Sequence, residues 1–95
     1  MIVNFLHRGL KRLFQRGEGR AFPVHHVPIL EDILSRLDTA QDIRAMNLPA
    51  YHLHQLTGDF KGFWGITVSA NYRVIFKFRD GHATDVDYLD YHGKK

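Results

Sequence analysis

A chain of 95 residues with 44% hydrophobic and 24% charged content is expected to form one ordinary globular domain spanning 1–95. That length buries more than about 60% of the unfolded surface. The formal charge of +3 suits an anionic partner without requiring one. The absence of cysteine excludes a disulfide framework and a thiolate zinc site. No apolar run approaches the roughly 18 residues of a membrane span. The opening residues lack the order of a secretory signal, so no membrane partner and a cytoplasmic location are the expectations.

Ile2-Val3-Asn4-Phe5 reads as a short first strand at a sheet edge. Leu6, Leu10, Leu13 and Phe14 then recur at helical spacing, with Arg8, Lys11, Arg12 and Arg16 opposite, and Gly17 and Gly19 end the helix. The basic face is a solvated surface in the plainer reading and a nucleic-acid-facing ridge in the sharper one. Pro28 fits only the first turn of a helix, so a second helix starts near His25 or later. Its stripe is Leu30, Ile33, Leu34 and Leu37. His25 and His26 read as exposed first-turn residues without a role. Asp38 to Asp42 offers a capping sequence for one more short turn through Met46.

From Tyr51 the period becomes two. Tyr51, Leu53 and Gln55 alternate with His52, His54 and Leu56, and Thr57 to Gly62 is turn chemistry. Trp64, Ile66 and Val68 share one face of a strand. The next strand puts Tyr72, Val74, Phe76 and Phe78 on one face and Arg73, Ile75, Lys77 and Arg79 on the other. Asp80-Gly81 is a tight-turn signal, after which Val86 and Tyr88 alternate with Asp85 and Asp87. Consecutive strands with short connections form an antiparallel meander. The fold class is therefore α+β, with two N-terminal helices packed on one face of a mainly antiparallel four- to five-stranded sheet. The helices cover the face bearing Trp64, Ile66, Val74, Phe76, Val86 and Tyr88. The other face is left open and cationic.

By alternation, Arg73 and His54 share the open face, and Asp90-Tyr91-His92 leaves the last strand where it can fold over the same rim. Two imidazoles, a guanidinium, a phenol and a carboxylate are a workable set for cleaving a phosphodiester. One group takes a proton from the neighbouring ribose hydroxyl, another protonates the leaving oxygen, and arginine neutralises the charge on phosphorus. Histidine titrates near the working pH. His52-x-His54 also invites a metal reading, since in a strand both side chains would point one way, but no third ligand is specified.

The runs Tyr51-His52-Leu53-His54-Gln55-Leu56-Thr57-Gly58-Asp59 and Lys61 to Val74 (with Trp64-Gly65-Ile66-Thr67-Val68-Ser69-Ala70-Asn71 at its centre) carry a resemblance. So do the ending Asp85 to His92 and the matches at Phe5 to Leu10 and Leu37 to Ala40. Together they resemble the HigB (host inhibition of growth) toxins, members of the RelE superfamily of type II toxin–antitoxin systems. The resemblance implies a RelE-like fold and ribosome-dependent endoribonuclease activity, with mRNA cut in the A site without a metal or other cofactor. It implies a HigA-like helix-turn-helix antitoxin as partner, with operator DNA reached only indirectly through the antitoxin complex. The positions matching the family's active site are His54, Arg73, Asp90, Tyr91 and His92. By that carry-over His54 and His92 transfer protons, Arg73 clamps the phosphate, and Asp90 and Tyr91 orient or assist. Lys61, Lys77 and Arg79 are candidate RNA contacts. Many members carry a lysine where this chain has Thr57, a departure that bears on the strength of the activity and not on the fold. Lys61 is the nearby cation that could take its place. Two alternatives on the same fold are a ParE-like toxin that binds gyrase without cutting RNA, and a weak member acting as corepressor with its antitoxin.

Overall fold

In the computed structural model, which describes residues 1–90, the longest helix follows its apolar stripe closely. Helix α2 spans Val27–Thr39, and Leu30, Ile33, Leu34 and Leu37 are all at most 1% exposed. A short 3-10 turn, Val24–His26, precedes it. Helix α1, Arg8–Arg16, ends at Gly17 with φ 71°, a left-handed conformation that glycine adopts without steric cost. Its N-terminus is capped by His7, whose Nδ1 accepts from the Leu10 N–H at 3.2 Å. The stripe expected from Leu6 to Phe14 narrows to Leu10 and Leu13. Leu6 lies before the helix and is 56% exposed.

Four strands form one antiparallel sheet in chain order: β1 (His54–Gln55), β2 (Trp64–Thr67), β3 (Tyr72–Arg79) and β4 (His82–Asp90). Asp80 and Gly81 both take positive φ, 53° and 78°, as a two-residue hairpin turn between right-twisted strands requires. Ile66, Val74, Phe76, Ala83 and Val86 are buried in a common core with the stripes of both helices. Burying these side chains supplies the main favourable term of folding.

Three expectations need correction. The period-two reading from Tyr51 fails at its start, because Pro49–Tyr51 forms a 3-10 turn and His52 is left-handed at φ 48°. The cause is Tyr51 itself, 5% exposed, whose hydroxyl donates to Asp32 on α2 at 2.5 Å. Pulling that ring inward leaves only two residues for β1. His52 is therefore not a strand neighbour of His54, which removes the geometry behind a shared metal. Among the described residues no group of three His, Cys, Asp or Glu could hold a metal ion.

The second correction concerns β4, whose alternation is interrupted. The register with β3 shifts between Ile75 and Lys77, and Asp85 sits at φ 53°. This bulge turns both Ala83 and Val86 into the core at 0% exposure. Asn4 clasps it, donating from Nδ2 to Asp85 Oδ1 (2.9 Å) and accepting the Asp85 N–H (3.1 Å). The opening segment accordingly pairs with β4 only at isolated parallel bridges, Ile2 to Ala83 and Phe5 to Val86, rather than as a continuous strand.

The third correction is His26. It is 2% exposed, while its neighbour His25 is exposed as expected. Its Nδ1 lies 2.9 Å from the Tyr88 hydroxyl, and its ring meets that of Tyr72 edge-on at 5.1 Å. Tyr72 and Tyr88 stack at 5.2 Å and 15°. Burial, and then the neighbouring His25, lower the His26 pKa from 6.5. The unfolded chain therefore takes up this proton more readily than the folded one. Its contribution to stability is present above about pH 6.5 and lost as pH falls through the lowered folded value. Melting temperature should drop between about pH 7 and pH 5, and His26→Gln should flatten that dependence while lowering the melting temperature at neutral pH. An identical slope in the variant would remove His26 as its source.

Candidate active site

The site residues can be built outward from the face of the sheet that the helices leave uncovered. His54 pairs in register with Gly65, Gly65 with Ile75, and Ile75 with Asp87. One row on that face thus reads His54, Gly65, Ile75, Asp87. The next reads Thr67, Arg73, Leu89. Strand and residue spacings put the Cα positions of His54 and Arg73 roughly 12 Å apart, close enough for two long side chains to reach one phosphodiester from opposite sides. The face is not wholly wet, because Ile75 at its centre is 1% exposed.

His54 is exposed, yet its ring is placed. The Nδ1 lies 2.8 Å from the His52 carbonyl oxygen. A carbonyl only accepts, so Nδ1 carries a proton, and in the neutral ring the lone pair then falls on Nε2. The left-handed turn at His52 aims that carbonyl. The ring itself lies across Gly65: a Cβ built there would sit 3.3 Å from His54 Cε1 and 3.1 Å from Leu56 Cδ2. The absence of a side chain at Gly65 is what gives the imidazole its seat.

Arg73 is partly buried. Its Nη1 donates to the carbonyl oxygens of Ser69 (2.9 Å), Tyr72 (3.1 Å) and Ala70 (3.4 Å). One corner of the guanidinium is thereby tied to the β2–β3 turn, which fixes where the positive charge stands. Lys77 and Arg79 each lie 3.8 Å from a carboxylate, Asp85 and Asp80. Such exposed pairs hold the side chains weakly, and the Lys77 ammonium also stands 5.1 Å from the Phe63 ring centroid. Lys61 lines a cleft of about 700 Å³ together with Thr57, Leu56, Phe63 and Trp64. The chain thus has a cation in the same cleft as the threonine.

Asp90 is the last residue of β4 and pairs in register with Tyr72. Alternation puts it with Tyr72 and Tyr88 at the rim of the helix side, not in the row of Arg73. Burial, then the proximity of Tyr72 and of the Asp90 carboxylate, push the Tyr88 phenol up to about 12. Tyr91 and His92 lie outside the described residues. Sequence alternation identified His54 and Arg73 as sharing a face. It missed the seat at Gly65 and the row position of Asp87, which appear only once the strands are in register.

A model of the RelE-like toxin of the type II toxin–antitoxin system HigB matches residues 3–92. This chain belongs to that family. A HigB-family relative, Endoribonuclease HigB of Proteus vulgaris, is 45% identical over 92 residues, which is 97% of this chain and 100% of that protein. Among solved structures, YafQ from E. coli strain BL21(DE3) superposes with a TM-score of 0.59 at 17% identity, covering 97% of this chain and 93% of that one. A point mutant of YafQ from E. coli gives 0.56 at 16% identity, with the same coverage. At such identity the likeness shows the fold alone, and the fold agrees with two helices on an antiparallel sheet. Membership of a type II system gives the HigB-like chain an antitoxin as partner. No helix among the described residues is long and apolar enough to cross a membrane.

Proposed function

We propose that this toxin cleaves mRNA positioned in the ribosomal A site by general acid–base chemistry, with no metal in the reaction. Membership in the HigB family makes it an endoribonuclease of a type II toxin–antitoxin system. The observation that supports the finer reading is the placement of His54: an exposed imidazole whose Nδ1 donates to the His52 carbonyl, on the open face that also carries Arg73. In this mechanism Nε2 accepts the proton of a ribose 2′-hydroxyl. The freed oxygen attacks the adjacent phosphorus, forming an O2′–P bond, and the P–O5′ bond breaks. The leaving 5′-oxygen takes a proton from a second acid, a role that the family resemblance gives to His92. Arg73 neutralises the charge on the phosphoryl oxygens. Tyr91 orients these groups, Asp90 assists from the rim it shares with Tyr72 and Tyr88, Lys61, Lys77 and Arg79 meet the RNA backbone, and a HigA-like antitoxin restrains the toxin.

An open sheet face supplies little enclosure for a flexible RNA, so the ribosome provides the substrate geometry. Mapping mRNA 5′ ends after brief induction tests this. Ends should fall within translated frames and disappear when initiation is blocked; equal cutting of untranslated RNA would sink the ribosome-dependent reading. The Gly65 seat gives a second expected result. Gly65→Ala should push the His54 ring aside and lower turnover by about 10- to 100-fold, with KM changing little. Unchanged turnover would show that the seat does not place the base.

A further inference from the structure

The loop between β1 and β2 carries apolar side chains that the core does not use. Leu56, Phe60 and Phe63 are each half-buried, yet among the described residues none of the three joins the packed core. The pairing of β1 with β2 continues past Gln55, where the Leu56 N–H donates to the Phe63 carbonyl oxygen at 2.9 Å. Lys77 pairs in register with Thr84, and its ammonium stands 5.1 Å from the Phe63 ring centroid. A third row of the open face therefore reads Leu56, Phe63, Lys77, Thr84. It lies two residues along the strands from the row of His54, on the side away from Arg73, a step of about 7 Å.

The loop that presents this ring is held by its own backbone. A 3-10 turn, Gly58–Phe60, is closed by the Lys61 N–H on the Gly58 carbonyl oxygen at 3.1 Å, and the Phe63 N–H donates to Phe60 at 3.0 Å. Gly58 and Gly62 take φ of 63° and 97°, and a Cβ built on either meets nothing within 4 Å. Glycine serves the turn there and leaves open space beside it. Phe60 meets Phe63 edge-on, with centroids 6.0 Å apart at 89°, so the orientation of the Phe63 ring is set by a neighbour. The loop bounds the cleft of about 700 Å³ that holds Phe63, Leu56, Lys61 and Trp64. A further cleft of about 570 Å³ runs from Gly62 along Lys77. An aromatic face between two clefts, with cations on both sides, is more than a surface for phosphate.

We propose that Phe63 stacks the nucleobase of the nucleotide next to the cut, with Leu56 packing beside that base and Lys77 meeting its phosphate. Single-stranded RNA is recognised through unstacked bases laid on aromatic rings, and such stacking accepts every base because each has a π-face. The step of about 7 Å from the His54 row to the Phe63 row is one that a single nucleotide of an extended strand can span. The Lys77 ammonium is held to Phe63 and, at 3.8 Å, to Asp85. Exposed contacts of both kinds are weak, so a base can take the ring face while the ammonium turns to phosphate. The placing of this base beside the cut rests on the cleavage site proposed above.

Trp64 is the sole tryptophan of the chain and lines the same cleft, so its fluorescence reports occupation. The test titrates the whole protein with a 2′-O-methyl tetranucleotide, which lacks the attacking hydroxyl and cannot be cut. Because no cutting is involved, failure of the acid–base mechanism leaves the titration unaffected. Trp64 emission should change on binding, and Phe63→Ala should bind about 5- to 100-fold more weakly, the range that loss of one stacked base produces. Phe63→Tyr should restore binding. The same backbone made without bases should bind the parent and Phe63→Ala alike. Lys77→Gln should make the salt dependence shallower by about one, as loss of one phosphate contact requires. Phe63 lies outside the packed core, so the alanine variant should melt near the parent. If it melts lower, Phe63→Leu, apolar but without a ring, should show the same weakening. No response of Trp64 in the parent would overturn the proposal, as would equal binding of the tetranucleotide by Phe63→Ala and the parent. A Phe63→Ala protein that keeps the tetranucleotide and escapes its antitoxin would assign the cleft to a protein side chain instead.

Discussion

Replacing His54 with alanine should slow mRNA cleavage by about 10²–10⁴-fold, the range that a positioned general base contributes. The loss should fall on turnover, because His54 is exposed and its ring serves the reaction rather than the core. Circular dichroism and melting temperature should stay close to those of the parent. His54→Gln should be nearly as inactive, since an amide can donate where the imidazole donates to His52 but offers no basic nitrogen beyond it. Mapping of mRNA ends in a translation extract provides the readout. Retention of cleavage within about threefold in a folded His54→Ala protein would remove this residue from the mechanism and leave the open face without its base.

Phe76→Ala should cost about 3–5 kcal/mol, against a total stability of about 5–15 kcal/mol for a domain of this kind. Phe76 is 0% exposed and among the largest fully buried side chains. It stands in the central strand β3, directly opposite Trp64 and beside the β4 bulge, where the shifted register limits how far neighbours can close over a cavity. A domain of this size shifts its melting temperature by about 4–8 °C for each kcal/mol, so the variant should be partly unfolded near physiological temperature. Denaturant titration gives the check. A loss below about 1 kcal/mol would mean that the surrounding core relaxes into the space.

How much of this could be read from the residues in a row depended on whether a side chain's partner was local. The α2 stripe, the Asp80-Gly81 turn and the shared face of His54 and Arg73 follow from spacing alone, and all three stand in the structure. Tyr51 broke its own strand because its hydroxyl partner, Asp32, is 19 residues away. His26 looked like a first-turn surface residue, and its partner Tyr88 is 62 residues on. The bulge at Asp85 depends on Asn4, 81 residues earlier. The tautomer of His54 was equally hidden, since it hangs on the direction of one carbonyl after an unexpected left-handed turn. What alternation supplied was the face. What it could not supply was the register, which pairs Asp90 with Tyr72 on the helix side and Leu89 with Arg73.

The short pairings of the opening segment have a consequence for how the molecule keeps to itself. A sheet grows by offering unpaired backbone amides and carbonyls along a long, flat margin. On one side of this sheet the Ile2–Phe5 segment takes up that margin, with Val3 and Leu6 donating to the Ala83 and Val86 carbonyls at 2.8 Å each. The bulge twists the line of β4 just where a foreign strand would seek register. On the other side β1 is two residues long, flanked by a left-handed turn and a glycine-bounded loop. Among the described residues, the border of β1 and that of β4 through Val86 therefore offer a second copy little straight backbone to zip onto, which disfavours edge-to-edge pairing there.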